Sequence, residues 1–576
     1  MPKGAVNGLS FLVLRSCLGE RRPPPAPGGT TGFGEADERE AATLRRVISA
    51  EPSAASRLRG RDADGQHGLR LRWALLAALA GGLALAAAFP PAGVWPLAVL
   101  GPALLTVALA GRTLRGSFLV GLVFGAAFFF LMLSWVLNVA WYAWAGLAGG
   151  STMIIAVLAV GQRLLLRLPG WPVAVAGWWV TAEALRDRWP WGGFPWGRLA
   201  MSQASAPTAG WAAVGGAPLL TFLVALAGGT LAWFILAAIG PERSARRLVL
   251  PALALVAAAG VAAAGTALPV DPATGGPTAV VAAVQGNVPH ARNLPQLLND
   301  SAVTQNHAQA TAKLAAQVKA GQRPAPDLVI WPENSTDLDP FGYPAIYQEV
   351  SGAVSAIGRP ILVGEVLDNP RRNVGQLWRP GRGPTTFYAK RQLVPFGEVI
   401  PDRGLLSHIT SLPALQPIDF TPGHRTVIFR TGQIRLGDVI CYEIGFDALV
   451  RSEVTAGANL LTMQTNDATF EVDGQTGETL QQLAMARIRA IESDRAVVVA
   501  STIGVSAIVA PDGRLIAHSG TWQQAVLEAR VPLITHRTLA DRVGAWPEYI
   551  IVSLTVAALI VALLAAAARR KARRTG

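Results

Sequence analysis

The chain carries long apolar segments of membrane-spanning length, and this feature restricts its possible folds more than any other. A helix needs about 20 apolar residues to cross roughly 30 Å of hydrocarbon. Candidate spans lie near 73–89, 95–110, 116–137, 147–166, 171–186, 213–239, 248–266 and 548–568. Charged residues make up 15% of the chain, compared with about 25% in an ordinary globular protein. The sequence therefore predicts an eight-span membrane protein.

The Lys and Arg residues predict how these spans are oriented. The net charge is +13, but the basic residues lie between apolar runs, which argues against a nucleic-acid partner. With the N-terminus inside, the cytoplasmic segments hold basic residues, as the positive-inside rule requires; these are Arg70, Arg72, Arg112, Arg115, Arg163, Arg167, Arg243, Arg246, Arg247 and five between 569 and 574. Arg188 and Arg198 depart from the pattern, and their position fits contact with anionic lipid headgroups at the outer surface.

Composition divides the rest of the chain. Residues 1–70 cannot bury enough apolar surface to offset chain entropy, so we expect a disordered N-terminal tail. A membrane domain with seven helices follows over 71–270, and residues 276–537 read as a soluble domain. The eighth helix covers 546–568, and 569–576 form a basic cytoplasmic tail. On the predicted topology, the soluble domain lies outside the cytoplasm.

Short β-rich runs alternate with helical segments in the soluble domain. The runs are 278–285, 328–331, 361–364, 434–441, 459–464, 496–501 and 507–510, and helical periodicity appears over 302–320 and 480–491. This alternation predicts layers of helix on sheet.

Three predicted strands end at a residue with a reactive side chain. They are the runs that begin at 328 and 434 and a further run over 386–390. These residues are Glu333, Lys390 and Cys441. A cysteine thiol must lose its proton before it attacks a carbonyl carbon, so a nearby carboxylate can serve as its base. A lysine ammonium can favour the thiolate and stabilise the oxyanion. The other cysteine is Cys17, and the chain has neither a CxxC motif nor a Cys/His cluster, so we expect no disulfide framework, metal or cofactor.

The sequence around these residues resembles the nitrilase superfamily. The matching motifs are Trp331-Pro332-Glu333-Asn334, Tyr388-Ala389-Lys390 with Pro395-Phe396-Gly397-Glu398, and Ile440-Cys441-Tyr442-Glu443. Glu333 and Lys390 are 57 residues apart, and Lys390 and Cys441 are 51 apart. The Pro-Phe-Gly-Glu and Cys-Tyr-Glu forms of these motifs, preceded by membrane spans, resemble the apolipoprotein N-acyltransferase branch specifically. Further similar motifs are Gly193-Phe194-Pro195-Trp196, Thr465-Asn466-Asp467, Met485-Ala486-Arg487-Ile488-Arg489-Ala490 and Pro511-Asp512-Gly513.

The resemblance implies a fold: an α/β nitrilase-like sandwich with α-β-β-α layers, inserted between the transmembrane helices of an eight-span α-helical membrane domain. It also implies residue roles, with Glu333 as general base, Lys390 as oxyanion-stabilising cation and Cys441 as nucleophile. Glu398 and Glu443 match supporting acidic positions that orient Lys390 and the incoming amine, and Tyr442 matches an aromatic residue beside the nucleophile.

The implied activity moves a fatty acyl group from a membrane phospholipid, through a Cys thioester, to the N-terminal amine of the diacylglyceryl cysteine of apolipoproteins. Its partners are then the phospholipid donor, the diacylglyceryl-apolipoprotein acceptor and membrane lipids. The location is a bacterial inner (plasma) membrane, with the catalytic domain on the extracytoplasmic face. The segment 189–196 and Arg198 are candidates for the mouth of the site.

Two other functions remain open from the residues. A membrane-tethered amidase, which is a carbon–nitrogen hydrolase, would use the same three groups on a small substrate with water as acceptor. A transporter or lipid-binding scaffold would leave Cys441 chemically inert. Glu183 is the one obvious acid within the apolar spans and lies near a span end, so the sequence shows no ion path of paired charges.

Overall fold

The protein is described from a computed structural model. It covers residues 59–61, 67–240, 245–268, 276–288, 301–409, 417–471, 474 and 476–575. Most of the predicted tail, 1–70, lies outside the described residues. Within it, β1 (Arg59–Arg61) and β2 (His67–Leu69) form an antiparallel ribbon.

Seven helices follow, and their positions match the seven predicted spans. They are α1 Leu71–Ala88, α2 Leu97–Leu109, α3 Leu114–Met132, α4 Trp141–Leu165, α5 Trp171–Arg186, α6 Ala212–Ile239 and α7 Ala245–Ala264. Small residues let these helices approach closely. A Cβ at Gly82 would lie 2.4 Å from the carbonyl oxygen of Phe124, and one at Gly121 would lie 2.5 Å from the Cβ of Ala159.

The first half of the α/β domain follows α7. Its elements are β3 Thr278–Gln285, α8 Ala302–Lys319, β4 Leu328–Ile330, α9 Pro344–Ile357, β5 Ile361–Asp368, β6 Arg371–Arg379 and β7 Gly383–Ala389. The second half holds α10 Arg403–Ile409, β8 Ile428–Thr431, β9 Ile434–Ile440, α11 Asp447–Thr455, β10 Leu460–Thr465, α12 Gly477–Ser493, β11 Val497–Ser501, β12 Ala507–Val509, β13 Leu515–His518, β14 Ala525–Pro532 and α13 Leu539–Val543. Helix α14, Trp546–Thr575, covers the predicted eighth span.

By length and composition, six described helices are long and apolar enough to cross a membrane. They are α1, α3, α4, α6, α7 and α14. The other two predicted spans coincide with α2, which has 13 residues, and α5, which has 16. At 1.5 Å per residue these two helices are about 20 to 24 Å long, shorter than the hydrocarbon layer. The eight-span count therefore stays a prediction.

The strands form two six-stranded mixed sheets. Their orders are β14-β3-β4-β5-β6-β7 and β13-β12-β11-β10-β9-β8. Strands β3, β4 and β5 run parallel to one another, as do β9, β10 and β11. Apolar residues of both sheets, such as Val281 and Val498, share one buried cluster, so the sheets pack face to face. Helices α8 and α9 cover the outer face of the first sheet, and α11 and α12 cover that of the second.

Helix α12 joins the α/β domain to the membrane helices. One face packs on β11, and the opposite side contacts α6. Gln481 donates its amide hydrogens to the carbonyl oxygens of Met132 (3.0 Å) and Pro90 (3.2 Å), and its side-chain oxygen accepts from the indole of Trp135 at 3.2 Å. The residues of the second sheet's outer face and those of the membrane helices belong to one continuous apolar core.

Candidate active site

The predicted nucleophile lies at the end of a buried parallel strand. Cys441 follows β9 directly, with a positive φ of 53° that few non-glycine residues adopt. A 3₁₀ turn, Cys441–Gly445, continues from it. Parallel strands bring their carboxyl ends to the same sheet edge, so this turn lies near the end of β10. Among the described residues Cys441 is the free cysteine, and it is buried.

Glu333 and Lys390, from two other strand ends, meet in a buried ion pair. The Lys390 Nζ lies 2.9 Å from Glu333 Oε1 and 2.9 Å from Glu398 Oε1. Asn373 bridges the two carboxylates, donating to Glu333 at 2.6 Å and to Glu398 at 2.9 Å. The second oxygen of Glu398 accepts from the backbone N–H of Val394 at 2.8 Å. One ammonium thus contacts two carboxylates away from water.

The electrostatics keep the lysine charged and the cysteine neutral at rest. Burial alone lowers the pKa of Lys390, but the charges of Glu333 and Glu398 hold it well above its ordinary value. For the Cys441 thiol, burial raises the pKa well above its ordinary value, and Glu333 raises it further against the opposing effect of Lys390. From the sequence, we expected the Lys390 ammonium to favour a thiolate at Cys441. In the structure burial outweighs it, so the thiol needs a base when substrate arrives.

Glu443 is engaged by the backbone of the segments next to Lys390 and Cys441. Its carboxylate accepts backbone N–H bonds from Arg391 (2.7 Å), Gln392 (3.0 Å) and Ile440 (2.9 Å), and the hydroxyl of Tyr388 donates to both oxygens at 2.9 Å. It therefore ties the segment after Lys390 to the segment before Cys441. The Glu443 carboxylate is thus occupied by hydrogen bonds from the protein's own backbone. Glu443 therefore supports the site indirectly, by holding these two segments together.

Replacing Glu443 with Gln is expected to lower the free energy of unfolding by about 1–3 kcal/mol. The amide offers one acceptor oxygen, so at least one buried backbone N–H loses its partner. Thermal unfolding in detergent, followed by intrinsic fluorescence, would measure the loss. Glu349→Gln, on the half-exposed face of α9, is the matched control. Equal midpoints for the two variants would contradict the role assigned to Glu443.

Tyr442 connects the nucleophile turn to the segment between α5 and α6. Its hydroxyl donates to the carbonyl oxygen of Gly193 at 2.6 Å, and its ring stacks on Trp196 with centroids 5.5 Å apart. Phe194 stacks on Trp196 at 5.3 Å. The motif Gly193-Phe194-Pro195-Trp196 therefore packs directly against the residue beside Cys441. Trp189 and Trp191, by contrast, are 60% and 48% exposed.

Arg198 corrects one interpretation made from the sequence. Its side chain is 3% exposed and lies among the carboxylates of Asp447, Asp187 and Glu183. A side chain enclosed in this way does not meet lipid headgroups. Arg188 is 54% exposed and pairs with Glu548 at the start of α14.

Sequence reasoning missed three polar partners at the site. Gln482 on α12 donates to the Cys441 Sγ at 3.4 Å, and Asn373 bridges Glu333 and Glu398. The backbone N–H of Asn466 donates to Glu333 Oε2 at 3.0 Å. The run Glu478-Thr479-Leu480-Gln481-Gln482 is unusually polar for a helix that carries an apolar face, and this is the sequence signal by which Gln482 could have been found. Among the described residues, no group of three or more His, Cys, Asp or Glu is arranged to hold a metal ion.

The family models that match the chain define its class. Residues 367–541 match the carbon–nitrogen hydrolase model, and residues 81–230 match the model of the apolipoprotein N-acyltransferase N-terminal domain. The chain is thus an enzyme with a nitrilase-superfamily catalytic domain joined to membrane helices. An amidase of the nitrilase superfamily from Nesterenkonia is similar to it with a TM-score of 0.33 and 16% identity, over 46% of this chain and 93% of the amidase.

Full-length relatives identify the family within that class. The apolipoprotein N-acyltransferase of Mycolicibacterium smegmatis is 37% identical over 517 residues, which are 85% of each chain. That of Azotobacter vinelandii is 31% identical over 535 residues, covering 86% of this chain and 96% of its own. The chain belongs to the apolipoprotein N-acyltransferase family, and the resemblance noted in the sequence is confirmed. It is an acyltransferase and a membrane protein.

Proposed function

We propose that this enzyme transfers a fatty acyl group from a membrane phospholipid to the N-terminal amine of the diacylglyceryl cysteine of an apolipoprotein, through a thioester on Cys441. The observation that carries this proposal is the arrangement of the buried thiol, the Lys390 ammonium and the Glu333 carboxylate next to an aromatic stack from the segment that joins α5 to α6. A soluble acyl acceptor would need no such connection to the helical part.

In the first half-reaction the Cys441 thiol loses its proton to Glu333 and attacks the carbonyl carbon of the phospholipid ester. Lys390 stabilises the oxyanion of the tetrahedral intermediate. When the intermediate collapses, the carbon–oxygen bond to glycerol breaks, and Glu333 returns the proton to the departing lysophospholipid oxygen. Glu333 suits this exchange because its Oε2 is held by the N–H of Asn466 and its Oε1 by Lys390.

In the second half-reaction the neutral α-amine of the acceptor attacks the thioester carbonyl. Glu333 takes the proton from the attacking nitrogen. The carbon–sulfur bond then breaks, and Glu333 passes this proton to the departing sulfur, which restores the resting thiol and the carboxylate. Lys390 acts on the second oxyanion as on the first. Glu398 and Glu443 support this cycle by orienting Lys390 and the nucleophile turn, and Tyr442 fixes that turn against the aromatic stack.

The membrane arrangement follows from the substrates. Withdrawing an acyl chain into water costs about 0.8 kcal/mol per CH₂, so the ester must be cleaved at the bilayer. We place seven spans within 71–270 and the eighth within 546–568, with a basic cytoplasmic tail at 569–576. The catalytic domain, 276–537, then lies on the extracytoplasmic face of the bacterial plasma membrane. The basic residues of the predicted cytoplasmic segments support this orientation.

Incubation of the purified enzyme with phospholipid is expected to add one fatty-acyl mass to the intact protein, mapped by peptide analysis to Cys441. The adduct should be cleaved by neutral hydroxylamine, as a thioester is. A diacylglyceryl-cysteine peptide with a free amine should discharge it and gain the acyl group. The same peptide with an acetylated amine is the control and should leave the adduct intact.

Other outcomes of this experiment would contradict the proposal. Rapid discharge by water without the peptide would indicate a hydrolase, which is the amidase alternative. The absence of a mass increment on Cys441, together with an unreactive thiol, would indicate the transporter or scaffold alternative, in which Cys441 is chemically inert.

A further inference from the structure

The turn that carries the nucleophile is held at its far end by a buried arginine of α12. Arg489 donates from Nε to the carbonyl oxygen of Ile444 at 3.0 Å and from Nη2 to that of Gly445 at 2.9 Å. The same Nη2 lies 2.6 Å from an oxygen of Asp447, which begins α11. These contacts satisfy the last carbonyl groups of the 3₁₀ turn that starts at Cys441.

A second arginine reaches the same carboxylate from the helical part of the chain. Arg198 lies in the segment between α5 and α6 and binds Asp447 with both ends of its guanidinium, at 2.7 and 3.1 Å. Its Nε lies 3.2 Å from Asp187, at the end of α5. Paired contacts of this kind fix both the distance and the plane of the two groups. The Asp447 carboxylate is therefore bound by two arginines, Arg489 of α12 and Arg198 of the segment between α5 and α6.

The charge state of Asp447 depends on both arginines. Burial alone raises the pKa of Asp447, but Arg198 and Arg489 outweigh it and hold the pKa well below its ordinary value. The carboxylate is consequently ionised throughout the functional pH range. Removal of one partner from such a group leaves an uncompensated buried charge, so the three side chains act as a unit.

From this geometry we infer that Arg198 is a positioning residue for Cys441, linking the nucleophile turn to the membrane helices. The inference rests on the proposed thioester mechanism. In that mechanism the membrane helices position the phospholipid ester, whereas the α/β domain carries the sulfur. A displacement of about 1 Å between reacting atoms can reduce a rate about 10²-fold. Cys441 also holds a left-handed backbone conformation, which persists where the surrounding contacts enforce it.

Arg198→Met is expected to lower the single-turnover rate of Cys441 acylation about 10²-fold at saturating phospholipid. The phospholipid concentration for half-maximal rate should change less than about threefold, since Arg198 is enclosed by protein groups and not by substrate. Rates are normalised to folded enzyme by size-exclusion chromatography in detergent. Arg198→Lys, which keeps the charge without the paired contact, should recover part of the rate.

Asp447→Asn provides the second variant, in case Arg198→Met yields little folded protein. The double variant Arg198→Met with Asp447→Asn should lose less rate than the product of the two single losses, because both changes remove the shared contact between Arg198 and Asp447. Arg323→Met, which removes the ion pair with Glu528 on β14 at 3.0 Å, is the matched control and should keep the parental rate. It separates the general effect of losing an ion pair from the effect on the nucleophile turn.

Two results would overturn the inference. An unchanged acylation rate per folded molecule in Arg198→Met would show a purely structural role. A loss confined to the half-maximal phospholipid concentration would assign Arg198 to donor binding instead. Failure of the thioester mechanism itself would be recognised separately, because Cys441→Ala would then retain N-acylation whatever Arg198 does.

Discussion

Cys441→Ala is expected to abolish both the acyl-enzyme and the N-acylated product. The reduction in rate should be at least about 10⁴-fold, because the covalent route loses the atom that forms the thioester. The measurement is transfer of a labelled acyl chain from phospholipid to a diacylglyceryl-cysteine peptide, with intact mass of the enzyme recorded in parallel. The small Cys441 side chain contacts the amide of Gln482 at 3.4 Å and the side chain of Thr465, and alanine removes only these weak polar contacts, so the variant should fold normally.

Cys441→Ser is the matched variant for this experiment. It keeps the size and position of the side chain but replaces the thiol with a far less acidic hydroxyl. We expect it to retain the fold and to lose almost all transfer. N-acylation at the parental rate in Cys441→Ala would refute the nucleophile assignment and, with it, the ping-pong mechanism.

Lys390→Met is the second change with a large expected effect. It should slow thioester formation about 10²- to 10³-fold, the usual consequence of removing a group that stabilises an oxyanion. Two buried carboxylates, Glu333 and Glu398, then face each other without the ammonium that separates them at 2.9 Å from each. The loss of charge balance should lower the thermal midpoint as well, so rates must be compared at equal amounts of folded enzyme.

Lys313→Met controls for the loss of a lysine. Lys313 lies on α8, where its exposed ammonium contacts Gln524 at 2.7 Å, so its removal should leave acylation unchanged. The discriminating measurement is rapid-quench formation of the thioester in a single turnover. If Lys390→Met acylates Cys441 at the parental rate, Lys390 has no part in the chemistry of the first step.

Much of the fold was accessible from local patterns. All seven predicted β-rich runs contain strands, and each of the eight predicted spans coincides with a helix. The run 386–390 overlaps β7. Within the α/β domain, strands β6, β8 and β13 were not predicted. Charged residues such as Arg371, Arg372 and Arg430 interrupt the apolar pattern of β6 and β8, and antiparallel pairing within the sheets holds these strands instead. Strand β14 was missed because it pairs with β3, which is distant along the chain.

The candidate site likewise contains residues that local sequence patterns predict and residues whose roles depend on distant contacts. Glu333, Lys390 and Cys441 could be found because each follows an apolar run within a recognisable motif. Asn373 could not, because its role arises from bridging Glu333 and Glu398 across the sheet edge. The burial of Arg198 could not be predicted from the sequence either, because its three acidic neighbours come from α5, the end of α5 and α11.

By itself the sequence determined the membrane character, the alternation of strands and helices, and the identity of the reactive groups. These properties depend on apolar length, on periodicity and on short motifs, which are all local. The tertiary structure alone decided that Glu443 serves the backbone, that the thiol rests protonated and that Arg198 lies enclosed against the nucleophile turn. Those properties depend on burial and on charges brought together from distant segments, and both arise only when the chain is packed.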